Sequence, residues 1–107
     1  MTILVSKRTS GTELIYTVPA EQRATLRVLF SNAAATQTTV KVWAVPAGGS
    51  ADDNALIISA LVLLANDWDA SAELILDAGD SIYVLSGNNT VTFHVNGLAE
   101  FIKMRGG

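Results

Sequence analysis

The chain has no cysteine, only two prolines and a single histidine among its 107 residues. Without cysteine there is no disulfide, no thiolate nucleophile and no thiolate metal site, so the fold must be held by burial and backbone hydrogen bonds. Charge is scarce as well: seven Lys and Arg stand against ten Asp and Glu, 16% of the chain in place of the roughly 25% of an ordinary domain. A net charge of −3 with no basic stripe gives a phosphate backbone nothing to bind, and no nucleic acid partner is expected. Long apolar runs are missing too. The longest mostly apolar stretch, Ala55–Asn66, falls short of the roughly 17 to 25 residues that span a bilayer, and no membrane partner is expected. Lys7 and Arg8 follow the apolar Ile3–Val5, the reverse of the basic-then-apolar order of a cleaved leader, so no export signal is expected.

What remains is half apolar, with 15 alanines and 10 threonines. A chain of this length buries roughly 60–68% of its extended surface, which supports one core, and residues 1–107 are expected to form one domain. Its surface must be unusually neutral. Such a surface suits a subunit partly covered by neighbours.

Apolar residues recur with period two in short runs punctuated by Gly, Asn, Asp and Pro, the pattern of an all-β domain. The expected strands are Ile3–Ser6, Thr12–Val18, Arg23–Ser31, Thr38–Val45, Leu56–Leu64, Ser71–Leu76, Ser81–Ser86 and Thr90–Asn96, with Leu98–Met104 as a final extended segment. Alternation places Leu14, Tyr16 and Val18 on one face of the second strand and Leu26, Val28 and Phe30 inward on the third. In the fourth, Val40, Val42 and Ala44 oppose Trp43 and Val45, so its second face should meet a neighbour or a crossing loop. Asn32–Thr36 and Asp77–Asp80 are expected turns, Pro46–Asn54 a surface loop, Gly87–Asn89 a hairpin, and Gly97 a bulge or bend. About eight short antiparallel strands must stack in two layers, because one open sheet leaves an apolar face wet. The expected fold is an antiparallel β-sandwich, jelly-roll-like.

Chemical constellations are few. His94, between Thr92 and Asn96 on a polar strand face, has no sequence-local carboxylate to orient it. The acids Asp52, Asp53, Asp67 and Asp69 lack calcium-loop spacing, and a lone histidine without cysteine makes a poor zinc site; no metal or cofactor is expected. Neither Ser81 nor Ser86 sits in a nucleophile elbow, and Gly48-Gly49 lacks the lysine of a phosphate loop. Asn88-Asn89-Thr90 matches a glycosylation acceptor and is more simply turn chemistry. No enzyme is expected. Trp43, Trp68, Tyr16 and Tyr83 would suit a glycan if they shared an exposed face, and core or subunit contact otherwise.

Four segments carry a resemblance: Leu14-Ile-Tyr-Thr-Val-Pro19, the strand Ala24–Ser31, Val40–Pro46 with Ala-Gly-Gly-Ser50, and Leu76-Asp-Ala-Gly-Asp-Ser-Ile82. Over residues 12 to 96 the chain resembles small β-sandwich virion structural proteins of tailed bacteriophages. The resemblance implies a non-enzymatic subunit of the virion, assembled in the cytoplasm of a bacterial host. It would bind capsid or tail proteins and its own copies, often as a trimer or larger ring. Head decoration or cement is the leading expectation, with a tail, baseplate or fibre module as the alternative and a glycan-binding module as the third. Residues 1–10 and 98–107 are the expected assembly arms. Interface candidates are Lys7, Arg8, Trp43, Trp68, His94, Phe101, Lys103 and Arg105; the four basic groups among them would form one basic end if the termini meet.

Overall fold

The computed structural model describes residues 2–8, 11–87 and 90–101. Nine strands follow one another: β1 Thr2–Arg8, β2 Gly11–Thr17, β3 Gln22–Asn32, β4 Thr38–Val45, β5 Leu56–Leu63, β6 Trp68–Ala70, β7 Leu74–Asp77, β8 Ser81–Ser86 and β9 Val91–Phe101. Sheet A has the order β1-β9-β3-β6, with β7 also on β3; sheet B has the order β2-β8-β4-β5. All pairs are antiparallel. The pairs β1·β9, β2·β8, β3·β6/β7 and β4·β5 nest about the loop after β4, as in one long hairpin rolled up so that successive pairs alternate between sheets. That is the jelly-roll arrangement.

Among the described residues one helical turn interrupts the strands, a 3-10 turn at Asp53–Ala55 in the expected loop. β6 and β7 are one strand broken in the middle: Ala70 is opposite Leu29 and Leu74 opposite Leu26, so an extra residue is squeezed in between. Ser71 spans the break, its backbone N–H donating to Val28 O at 2.8 Å and its Oγ accepting from Val28 N–H at 2.9 Å. This accounts for nine strands where about eight were expected.

The core lies where alternation put it on β3 and β4, and β8 and β9 supply its other walls. Ala24, Leu26, Val28 and Phe30 are buried against Val91, Phe93, Val95, Val40, Val42, Ile82 and Val84. Phe30 and Phe93 meet at 6.1 Å between ring centroids, tilted by 51°. On β2 the expectation fails. A bulge between Leu14 and Tyr16 shifts the phase, burying Ile15 and leaving Leu14 exposed, and Val18 re-enters the core beyond the strand end.

Three further expectations are corrected. Gly87–Asn89 is not a hairpin, because β8 pairs in sheet B and β9 in sheet A, so the chain changes sheets there. Asn88 and Asn89, with the acceptor motif they carry, lie outside the described residues. Gly97 makes no bend. β9 runs through it without interruption, and a Cβ there would lie 2.1 Å from Thr25 O and 2.6 Å from Leu26 Cα; glycine is needed because β3 approaches so closely. Asn32 is more than a turn residue. Its buried amide donates to Thr36 O at 2.9 Å and Leu64 O at 3.2 Å, and its Oδ1 accepts from Ala34 N–H at 3.0 Å and Thr90 Oγ1 at 2.9 Å. One side chain thereby ties three connections at one end of the sandwich.

Asp80 performs the same task at the other end. Its carboxylate accepts from Ala47 N–H at 3.0 Å and Asp77 N–H at 2.9 Å, while its carbonyl accepts from Val18 N–H at 2.9 Å. The Asp77–Asp80 turn forms as expected, with Gly79 at φ 86°, a left-handed conformation that suits glycine.

Candidate interaction surfaces

Cross-strand partners share a face, so the register maps both outer surfaces of the sandwich. On sheet B, one transverse row runs Leu14, Tyr83, Trp43 and Leu56. Trp43 nevertheless is only 6% exposed, and its neighbour in the same phase, Val45, is also buried. The loop after β4 folds back over this area: the Asp53–Ala55 turn contacts β4, and a Cβ at Gly49 would lie 3.4 Å from Val45 Cγ1. The second apolar face of β4 therefore meets a crossing loop. The indole Nε1 of Trp43 is buried without a hydrogen-bond partner.

On sheet A the rows are Arg8–Thr92–Ser31–Trp68, Ser6–His94–Leu29–Ala70, Ile3–Asn96–Arg27, Leu98–Thr25–Ile75 and Glu100–Arg23–Asp77. Ile75 is 69% exposed, Ile3 59% and Leu98 56%. Leu98 sits in the phase where β9 carries Thr92, His94 and Asn96, and Ile3 and Ile75 stand on the same outer face. That phase is also the signal by which sequence could have revealed Leu98.

The interface candidates are scattered over this frame. Lys7 forms an ion pair with Glu13, joining β1 of one sheet to β2 of the other. Arg8 donates from Nε to Thr92 Oγ1 at 3.3 Å. His94 lies on the outer face of sheet A with its Nδ1 2.6 Å from Ser6 Oγ. Trp68 is 65% exposed, on β6, a short strand that sequence patterning did not anticipate. Phe101 is exposed on the inner phase of β9, beyond the packed core. Trp43 is the exception, with almost all of its surface covered by its own chain. Lys103 and Arg105 lie outside the described residues.

The basic end expected of the termini rests on Lys103 and Arg105, which lie outside the described residues; the described parts of the terminal segments lie far apart. Lys7 and Arg8 are opposite Phe93 and Thr92, whereas Phe101 is opposite Gln22 at the far end of β9. At about 3.3 Å per residue, the nine positions from Thr92 to Phe101 separate them by about 30 Å. The expected arms are, over residues 2–8 and 98–101, strand residues of this chain's own sheet A.

Every edge strand is irregular. β1 has a register shift between Ile3 and Val5, β2 between Leu14 and Tyr16, β5 has two shifts against β4, and the β6/β7 edge is broken. In β5 the shift near Ala60 is accompanied by a φ of 56°, uncommon for alanine. Bulges twist an edge away from a regular ladder and obstruct addition of a foreign strand. Contact through faces is thereby favoured over contact through edges.

The loop acids are occupied locally. Asp52 accepts from Asn54 N–H at 3.0 Å, Asp67 from Trp68 N–H at 2.8 Å and Asp69 from Ala70 N–H at 2.8 Å. Among the described residues no group of three or more His, Asp or Glu is placed to hold a metal ion. A shallow pocket of about 220 Å³ lies in the loop after β4, lined by Pro46, Gly49, Ser50, Asp52, Asn54 and Ala55. It gathers no titratable pair. Burial pushes the Tyr16 phenol above its ordinary pKa. Comparison of the chain with models of known families, with curated proteins and with solved structures gives no match.

Proposed function

We propose that the chain is a non-enzymatic structural subunit that works by packing its faces against neighbours, of the kind that decorates and stabilises the head of a tailed bacteriophage. The observation that carries the packing role is the outer face of sheet A, where Ile3, Ile75 and Leu98 stand exposed on a paired sheet surface. Isolated exposed aliphatics need no explanation, but three of them in adjacent rows of one face make a patch suited to a partner. The scarcity of charge fits the same role. The assignment to a phage head rests on the resemblance of the turn motifs, two of which, Val18-Pro19 and Asp77–Asp80, meet at one end of the sandwich.

The test is rebinding. Purified protein added to expanded shells that lack it should bind and raise their resistance to heat or low salt. Failure to bind, together with detection in isolated tails, rejects the head assignment and favours the tail or fibre module. Exposed Trp68 supports a second reading, glycan binding, since an open indole is a stacking platform. A glycan array that responds to the wild type and not to Trp68→Ala would establish it.

A further inference from the structure

The end of sheet A's outer face away from Leu98 and Ile75 is polar. Its first row runs Arg8, Thr92, Ser31 and Trp68 across β1, β9, β3 and β6; its second runs Ser6, His94, Leu29 and Ala70. Trp68, 65% exposed, stands at one edge of the first row. Arg8 stands at the other, three strand spacings or about 14 Å away. Hydroxyl groups lie between them. Thr92 Oγ1 accepts from Arg8 Nε at 3.3 Å, and Ser31 Oγ forms no hydrogen bond among the described residues. In the second row Ser6 Oγ and His94 Nδ1 are 2.6 Å apart. Arg8 takes part in no ion pair among the described residues, so its two terminal nitrogens have no acid there. The acids of this end are at the other edge: Asp67 and Asp69 precede and follow Trp68, their Oδ1 atoms accepting from the N–H groups of Trp68 and Ala70.

We propose that this row binds a short oligosaccharide bearing one carboxylate, with a neutral ring on Trp68 and the acidic ring, a sialate or uronate, at Arg8. The inference rests on the glycan reading above and gives that ligand a charge and a direction. A sugar ring offers C–H bonds to the face of an indole and hydroxyls to Ser31, Thr92 and His94. With its Nε held by Thr92, the guanidinium presents its terminal nitrogens to a carboxylate, the geometry in which arginine binds acids most strongly. Asp67 and Asp69 repel an acid at the indole edge, well within the roughly 10 Å over which charges are felt in dilute salt, and so fix the direction. The span of about 14 Å suits roughly three linked rings. Single-stranded nucleic acid also stacks on indoles, but it requires a basic groove along its backbone, and these two rows hold one guanidinium. An apolar partner would find Leu29 and Ala70 as its apolar neighbours in these rows, too little to cover an indole. Six positions along β9 put Leu98 about 20 Å from Thr92, so a neighbour packed on the aliphatic patch leaves this row open.

The test is an NMR titration of four sugars: sialyllactose against lactose, and glucuronosyl-xylobiose against xylobiose. The wild type is expected to bind at least one acidic trisaccharide about tenfold more tightly than its neutral parent. The pair that shows the preference identifies sialate or uronate. Arg8→Gln should abolish the preference and leave binding of the neutral parent unchanged, whereas Trp68→Ala should weaken both about tenfold or more. Both side chains are exposed, so unchanged melting of each variant verifies the fold. Equal binding of acidic and neutral sugars, or a preference that survives Arg8→Gln, overturns the proposal. So does tighter binding of oligothymidylate than of any sugar, or sedimentation showing copies that associate through Trp68. If none of the four sugars binds while a glycan array still responds through Trp68, the charge and direction fail and the glycan reading stands; a silent array defeats both.

Discussion

On sheet B the outward row Leu14, Tyr83, Trp43 and Leu56 is partly roofed by the chain's own loop after β4, and Trp43 is buried as deeply as core. On sheet A the outward row Leu98, Thr25 and Ile75 keeps its aliphatic side chains in the open. Both faces have the apolar surface that water disfavours. One is covered within the chain by a loop of polar and small residues, which contributes to the stability of the monomer. The other stays open to solvent, so its apolar area adds nothing to the stability of the monomer. The same kind of side chain is thus covered within the chain on one side and open on the other, where the proposed assembly role would use it.

The largest expected contrast lies within β9. Phe93→Asp places a carboxylate in the fully buried layer against Phe30, a loss of about 2–5 kcal/mol or more that should leave insoluble protein. Leu98→Asp, five residues on in the outward phase, should change monomer stability by no more than about 0.5 kcal/mol. Denaturant titration of both variants tests the assignment of faces; a soluble, cooperatively unfolding Phe93→Asp would break it.

The tryptophans sharpen the comparison of sheets. Trp43→Ala should cost about 3–5 kcal/mol, because it empties a covered site, whereas Trp68→Ala should leave stability within about 0.5 kcal/mol. Fluorescence gives a parallel check: the emission left in Trp68→Ala should resist acrylamide, and that left in Trp43→Ala should be quenched. Asn32→Ala should follow, losing about 1–3 kcal/mol as buried groups it bridges go unpaired. The smallest effect is in pH. The Tyr16 phenol is raised by burial, so the folded state disfavours its ionisation. Its contribution is fully present below the unfolded pKa near 10 and is lost as pH rises beyond that through the folded value; Tyr16→Phe should remove that share of the alkaline destabilisation.

Much of this was legible in the chain because alternation is local. β4 and β8 begin and end at the residues their patterns indicated, and Leu26, Val28 and Phe30 point inward as expected. Bulges were not legible: one extra residue at Ile15 or between β6 and β7 inverts every later side chain without leaving a mark in composition. The change of sheet after β8 was hidden for a different reason, since a glycine and two asparagines suit a hairpin and a crossover equally. The role of Gly97 depends on a backbone contact with Thr25, 72 positions earlier in the chain, which no local pattern contains. On the surface, Trp68 and His94 were named as interface candidates, but the patch of Ile3, Ile75 and Leu98 emerges only when three strands are laid side by side.

The most direct test of the account uses the absence of cysteine, which makes any introduced thiol unique. A bismaleimide with a reach of about 10 Å, the spacing of stacked sheets, should link Leu98→Cys into a covalent dimer if the outer face of sheet A packs against another copy, as the proposed role implies. It should leave Leu14→Cys, on the outer face of sheet B, unlinked. Cross-linking of Leu14→Cys with none of Leu98→Cys would contradict the claim that sheet A carries the contact between copies.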